Sequence, residues 1–135
     1  MKVYIAAPWV RREEAKAVGE RLVAAGHEVT SRWFTHVGDP NDSTGVAMDP
    51  QEVRRQAIED IADVYRADAL VVLNLEKSEG KAVETGLALS QGLPIISVGK
   101  RSNIFQSLAY EVESVDEALE MLTMLPELTL IHSAE

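Results

Sequence analysis

Two kinds of hydrophobic run alternate along this chain. Lys2–Ala7, Asp68–Leu75 and Pro94–Val98 are short, continuous and rich in β formers, the pattern of strands buried on both faces. Between them, apolar residues recur at helical spacing. Ala15, Val18, Leu22 and Ala25 predict an amphipathic helix over Arg11–Ala25, stopped by Gly26. His27–Trp33 reads as the second strand. Asp49-Pro50-Gln51-Glu52 is a capping box with proline at the first helical position, and a helix runs from it to about Arg66. Its apolar stripe is Val53, Ala57, Ile58, Ile61 and Tyr65. At about 100° per residue, Asp63 lies opposite that stripe and is predicted to face solvent, whereas Asp60 sits at its edge, partly buried.

Ser78–Leu93 predicts a helix closed by Gly92, and Gly99–Phe105 a loop. Ala109–Glu113 predicts an edge strand. Ser114-Val115-Asp116-Glu117 opens a last helix, which Pro126 is expected to stop; residues 127–135 receive no assignment. The segment Phe34–Met48 is punctuated by Gly, Pro, Asn and Asp, and is long enough to suggest a lid or binding loop. Alternating strands and helices predict an α/β fold: a single domain over residues 1–135, with an open five-stranded parallel sheet in the order 2-1-3-4-5 and helices on both faces. Ligand-facing loops then follow strands one, three and four. They carry Pro8-Trp9, Ser78–Glu84 and Lys100–Asn103.

Composition narrows the function classes. The net charge of −9 argues against a nucleic-acid polymer as partner, because its phosphates demand a basic face. A mononucleotide is still compatible, since a few local donors can hold one phosphate. With no cysteine there is no disulfide, thiolate metal site or cysteine nucleophile, which fits a reducing cytoplasm. The N-terminal apolar run is too short to span a membrane, so no membrane association is expected. The histidines His27, His36 and His132 are scattered without metal-ligand spacing, and neither a metal site nor a cofactor is expected. No G-x-G-x-x-G follows the first strand, no P-loop is present, and Ala-Ala-Pro-Trp stands where a receiver domain needs acids.

The candidate chemistry centres on Glu84 in SEGKAVETGLALSQGL. It is flanked by Gly80 and Gly86, has apolar neighbours, and stands near a helix start at the mouth of a strand–loop–helix unit. The macrodipole favours its charge there and its neighbours limit hydration, so it is expected to be an ionised carboxylate nucleophile. The alternative is a surface glutamate in a helix N-terminal turn.

VYIAAPW, the spacing from Asp60 to Asp68, and GKAVETGLALSQGLPI together resemble the nucleoside 2-deoxyribosyltransferase family, including the related 2′-deoxynucleoside 5′-phosphate N-hydrolases. The resemblance covers roughly Val3–Trp9 and Asp60–Phe105. It implies that Glu84, within the matching Gly80, Glu84, Gly86 and Ala88 pattern, attacks C1′ of a deoxyribose and expels the base. It implies that Tyr4 hydrogen-bonds that nucleophile, that Asp60 protonates or orients the base, and that Ala6, Pro8, Trp9, Ser78, Gly80 and Asn103 bind substrate. Trp9 reads two ways, as a stacking platform for a base or as a staple on the first helix. Ser78 matches a hydrolase serine that grips a 5′-phosphate, or is a plain loop serine. Asn103 is similar to a transferase residue that reaches the sugar of a neighbouring subunit. The implied partner is a small-molecule deoxynucleoside or deoxynucleotide, and the implied assembly is a homo-oligomer, a dimer or larger, with shared active sites. The chain departs from the family over Phe34–Met48, and lacks the arginine-and-glycine phosphate loop that hydrolases carry after strand one. A nucleotide-binding module without catalysis and a ribonucleotide hydrolase are the competing readings.

Overall fold

A computed structural model describes residues 1–134 apart from Val37 and Pro40, with residues 126–134 described by their backbone alone. Five parallel strands form one sheet in the flavodoxin-like order β2-β1-β3-β4-β5, as the alternation predicts. They are β1 (Lys2–Ala6), β2 (Glu28–Val29), β3 (Ala69–Leu73), β4 (Ile95–Val98) and β5 (Tyr110–Val112). The helices are α1 (Arg12–Ala24), α2 (Pro50–Tyr65), α3 (Glu79–Ser90) and α4 (Val115–Ala134). The Arg21–Asp116 ion pair joins α1 to α4 over one face, and α2 packs on α3 over the other.

β3 is central and all five of its residues are buried, which accounts for its uninterrupted apolar run. Each Val or Leu fully buried there contributes about 1.5–3 kcal/mol. β1 and β3 are in register from Val3↔Ala69 to Ala6↔Val72, so both strands end at the same edge. That edge carries the site.

Three sequence expectations are corrected. β2 is two residues long rather than seven. Thr30 N–H still donates to Val3 O at 2.9 Å, and beyond it side chains take over from the ladder: Ser31 Oγ accepts from Ile5 N–H at 3.1 Å, and Trp33 Nε1 donates to Ile5 O at 2.7 Å. Helix α4 runs through Pro126 to Ala134. An internal proline removes one hydrogen bond, but the leucines, methionines and glutamates around it are strong helix formers.

The third correction concerns α2, whose predicted stripe faces outward. Ile58, Ile61 and Tyr65 are exposed, while Asp63 is fully buried. The inward face instead carries an ion cluster: Arg32 Nη2 and Arg66 Nη2 donate to Asp63 Oδ1 at 2.7 and 2.6 Å. Burial works against Asp63's charge, but these hydrogen bonds outweigh it and hold its carboxyl below the ordinary carboxylate range.

Candidate active site

A cavity of about 820 Å³ opens at the carboxyl ends of β1 and β3, where open α/β sheets bind ligands. Pro8 and Trp9 form one wall. The loop after β3 and the first turns of α3 form another, and Gln56 and Asp60 of α2 a third. Residues of the 34–48 loop, His36 and Asp42–Gly45 among them, complete the enclosure, which agrees with the binding-loop reading of that segment.

Glu84 lines this cavity, and Tyr4, fully buried on β1, donates its hydroxyl to Glu84 Oε2. The alternative of a surface glutamate is therefore set aside. Its expected charge state is corrected, however. Burial pushes the Glu84 carboxyl well above its ordinary pKa, so it holds its proton past the usual range. Glu84 stands in the second turn of α3, beyond the strongest part of the macrodipole, and desolvation wins.

Asp60 is half-buried on the same cavity. Its Oδ1 is buried and has no hydrogen-bond partner among the described residues. Its pKa is pushed up to about 6, first by burial, with Asp63 and Glu59 adding to the rise and His36 opposing it. Ser78 caps α3, its Oγ accepting from Lys81 N–H at 3.2 Å, and lines the cavity beside Gly80. Trp9 donates from Nε1 to Asp39 O at 2.6 Å, and the Arg12 guanidinium stacks 4.7 Å from its ring centroid. These contacts fix the indole at the cavity wall.

Six of the predicted residues thus meet on one cavity: Pro8, Trp9, Asp60, Ser78, Gly80 and Glu84. Tyr4 joins them through Glu84. Ala6 is buried inside β1, off the cavity wall. Asn103 caps the short 3-10 helix Ile104–Leu108, accepting from the N–H groups of Phe105 and Gln106, and the loop after β4 stays off the wall.

Sequence reasoning missed His36, Gln56 and Lys81. Gln56 and Asp60, four residues apart on α2, carried a legible signal, because that spacing places them on one helix face. Lys81 is buried, its Nζ donating to Glu76 O at 2.7 Å, and burial pushes its ammonium pKa down. No group of three or more His, Asp or Glu among the described residues could hold a metal ion. No described helix is long and apolar enough to cross a membrane.

Two carboxyl groups, those of Glu84 and Asp60, thus face one cavity at the carboxyl edge of the sheet. The sequence matches the nucleoside 2-deoxyribosyltransferase family over residues 3–122. No curated protein matches it. Among solved structures it is similar to a 2-deoxyribosyltransferase from Bacillus psychrosaccharolyticus, at 19% identity and TM-score 0.67, covering 88% of this chain and 90% of that one. A conserved protein from Enterococcus faecalis V583 has 19% identity and TM-score 0.66, covering 89% and 95%. A CMP N-glycosidase from Clostridium botulinum has 20% identity and TM-score 0.54, covering 92% and 99%. The chain belongs to the nucleoside 2-deoxyribosyltransferase family. Enzymes of this family cleave N-glycosidic bonds, and so does this one.

Proposed function

We propose that this protein cleaves the N-glycosidic bond of 2′-deoxyribonucleosides through a covalent glycosyl-Glu84 intermediate and transfers the deoxyribosyl group to another nucleobase. The observation that carries this reading is the placement of Glu84 on the cavity wall with Tyr4 hydrogen-bonded to it. A glutamate poised this way attacks an anomeric carbon through an oxocarbenium-like transition state. A 2-deoxy sugar suits the route, since it lacks the hydroxyl that destabilises positive charge at C1′. Glu84 acts only after losing its proton, and the Tyr4 hydroxyl stabilises the resulting anion. Asp60 supplies or orients a proton on the leaving base, and Trp9 offers it an aromatic face. A second copy of the chain pairs with the first, a reading supported by the exposed Ile58, Ile61 and Tyr65 of α2 and Val83 of α3.

One observation favours a second reading, a 2′-deoxynucleoside 5′-monophosphate N-hydrolase. Ser78 stands at the N-terminus of a twelve-residue helix on the same cavity, where backbone N–H groups and the dipole suit a phosphate. Incubating deoxyinosine with free adenine separates the two. Deoxyadenosine as product supports transfer. Free deoxyribose alone, with a preference for the 5′-monophosphate, supports hydrolysis. Unchanged base release by Glu84→Ala would sink both.

A further inference from the structure

Val53, Gln56 and Asp60 line the cavity from one face of α2. Gln56 Nε2 donates to Glu52 Oε1 at 3.2 Å. Glu52 is half-buried and is not itself part of the wall. Arg55 grips its carboxylate at both oxygens, Nε donating to Oε2 at 2.9 Å and Nη2 to Oε1 at 2.7 Å. Hydrogen bonds from Arg55, and then from Gln56, hold the Glu52 carboxyl down to about 2, so it is an anion. An ionised carboxylate can only accept, and this decides the orientation of the Gln56 amide: its NH2 turns to Glu52 and its carbonyl away. Gln56 Oε1 accepts no hydrogen bond among the described residues. One helical turn on, the buried Oδ1 of Asp60 is also without a partner among them. Burial, first among the causes, pushes that carboxyl up to about 6, which keeps a proton within its reach. Side chains four residues apart on a helix stand about 5–6 Å from each other on one face, so both groups can meet the same planar ring.

We infer that Gln56, its amide fixed by Glu52, selects the nucleobase: the Gln56 carbonyl and the Asp60 carboxyl form an acceptor–donor pair that fits bases with an exocyclic amino group beside a ring nitrogen, adenine and cytosine, over their keto counterparts. The inference rests on the placement of the leaving base at Asp60 proposed above. Adenine carries the N6 amino donor and the N7 acceptor on one edge. Cytosine carries its N4 amino donor beside the N3 acceptor. On a 6-keto purine the same edge presents two acceptors, so O6 would face the Gln56 carbonyl oxygen with no hydrogen between them. O4 of uracil or thymine would do the same. Two acceptors pressed together in a closed site leave both unpaired, which is how a polar pocket rejects a close analogue. A freely turning amide could offer its NH2 to the keto oxygen instead. The Glu52 anion removes that choice, because the turned amide would set its own carbonyl against a carboxylate.

The test is a ratio. Base release, as kcat/KM, is measured for deoxyadenosine against deoxyinosine and for deoxycytidine against deoxyuridine, each as the nucleoside and as the 5′-monophosphate. Each ratio is normalised to uncatalysed hydrolysis of the same pair. The natural protein is expected to favour the amino member of the pair it accepts by about 10- to 100-fold, the usual worth of a well-matched base contact. Gln56→Leu removes the acceptor and should bring the normalised ratio to within about threefold of unity. Glu52→Gln leaves the cavity wall intact but frees the Gln56 amide to turn, and should shrink the ratio in the same direction. A natural protein with no amino preference, or a preference that survives Gln56→Leu, overturns the inference. A preference lost in Gln56→Leu but kept in Glu52→Gln overturns the part assigned to Glu52. Asp60→Asn checks the underlying placement separately: undiminished release from every substrate overturns the base at Asp60, whatever the ratios.

Discussion

Tyr4, buried in the third position of β1, donates its hydroxyl across the sheet edge to Oε2 of Glu84 on α3. A hydrogen bond to a carboxylate favours its charged form, while burial of the same carboxylate disfavours it. Burial is the stronger of the two here. The pair therefore holds an acid that keeps its proton past the usual carboxylate range.

Tyr4→Phe removes a hydrogen bond that favours the anion. Hydrogen bonds to charged groups contribute about 1.5–3 kcal/mol, so kcat is expected to fall about 10- to 100-fold. The acid limb of the pH–rate profile should also move to higher pH, since Glu84 will hold its proton more tightly. Steady-state rates across pH for the two proteins check both.

Glu84 also affects stability, and the sign follows from proton counts. In the unfolded chain it ionises near 4.5, whereas in the folded protein it keeps its proton to higher pH. Between those values the folded state binds more protons, so this residue's contribution to stability declines as pH rises. Glu84→Gln does not titrate. It should melt higher than the natural protein at pH 8 and show a smaller margin at pH 5, while losing at least about 10³-fold in activity. A margin that grows toward acid would contradict the buried, protonated state.

Asp63 works in the opposite direction. Arg32 and Arg66 hold it below its ordinary pKa, so its contribution is present above about pH 4 and is lost as pH falls through its folded value. Removing one partner of a buried ion cluster strands charge, and Asp63→Ala should cost about 3 kcal/mol in urea melts at pH 7. The deficit relative to the natural protein should shrink toward pH 3.

The outward stripe of α2 predicts association. Ile61→Lys should shift the sedimenting species toward the 14.8 kDa chain mass. A natural protein already at that mass would remove the argument for a paired assembly. The charge is placed at the centre of an apolar face, where burying it unpaired is costly.

Much was legible before any coordinates. The apolar runs of β1, β3 and β4, the Asp49 cap on α2 and the Gly92 stop of α3 are local signals, and local physics decides them. With strands and helices alternating, right-handed crossover geometry leaves few sheet orders, and the observed one is the simplest of these. The station of Glu84 beside Pro8, Trp9 and Ser78 followed from the strand ends meeting at one edge.

Tertiary structure decided the rest. Periodicity shows that α2 has two faces but not which one turns inward. The cavity and the two arginines recruited the polar face, because Asp63 with two partners can be buried and the aliphatic stripe can be left for another surface. The truncation of β2 depended on which side chains reach Ile5. The protonation of Glu84 and the meeting of His36 with Glu59 depend on desolvation and on approach between segments distant in sequence, quantities that exist only once the chain has folded.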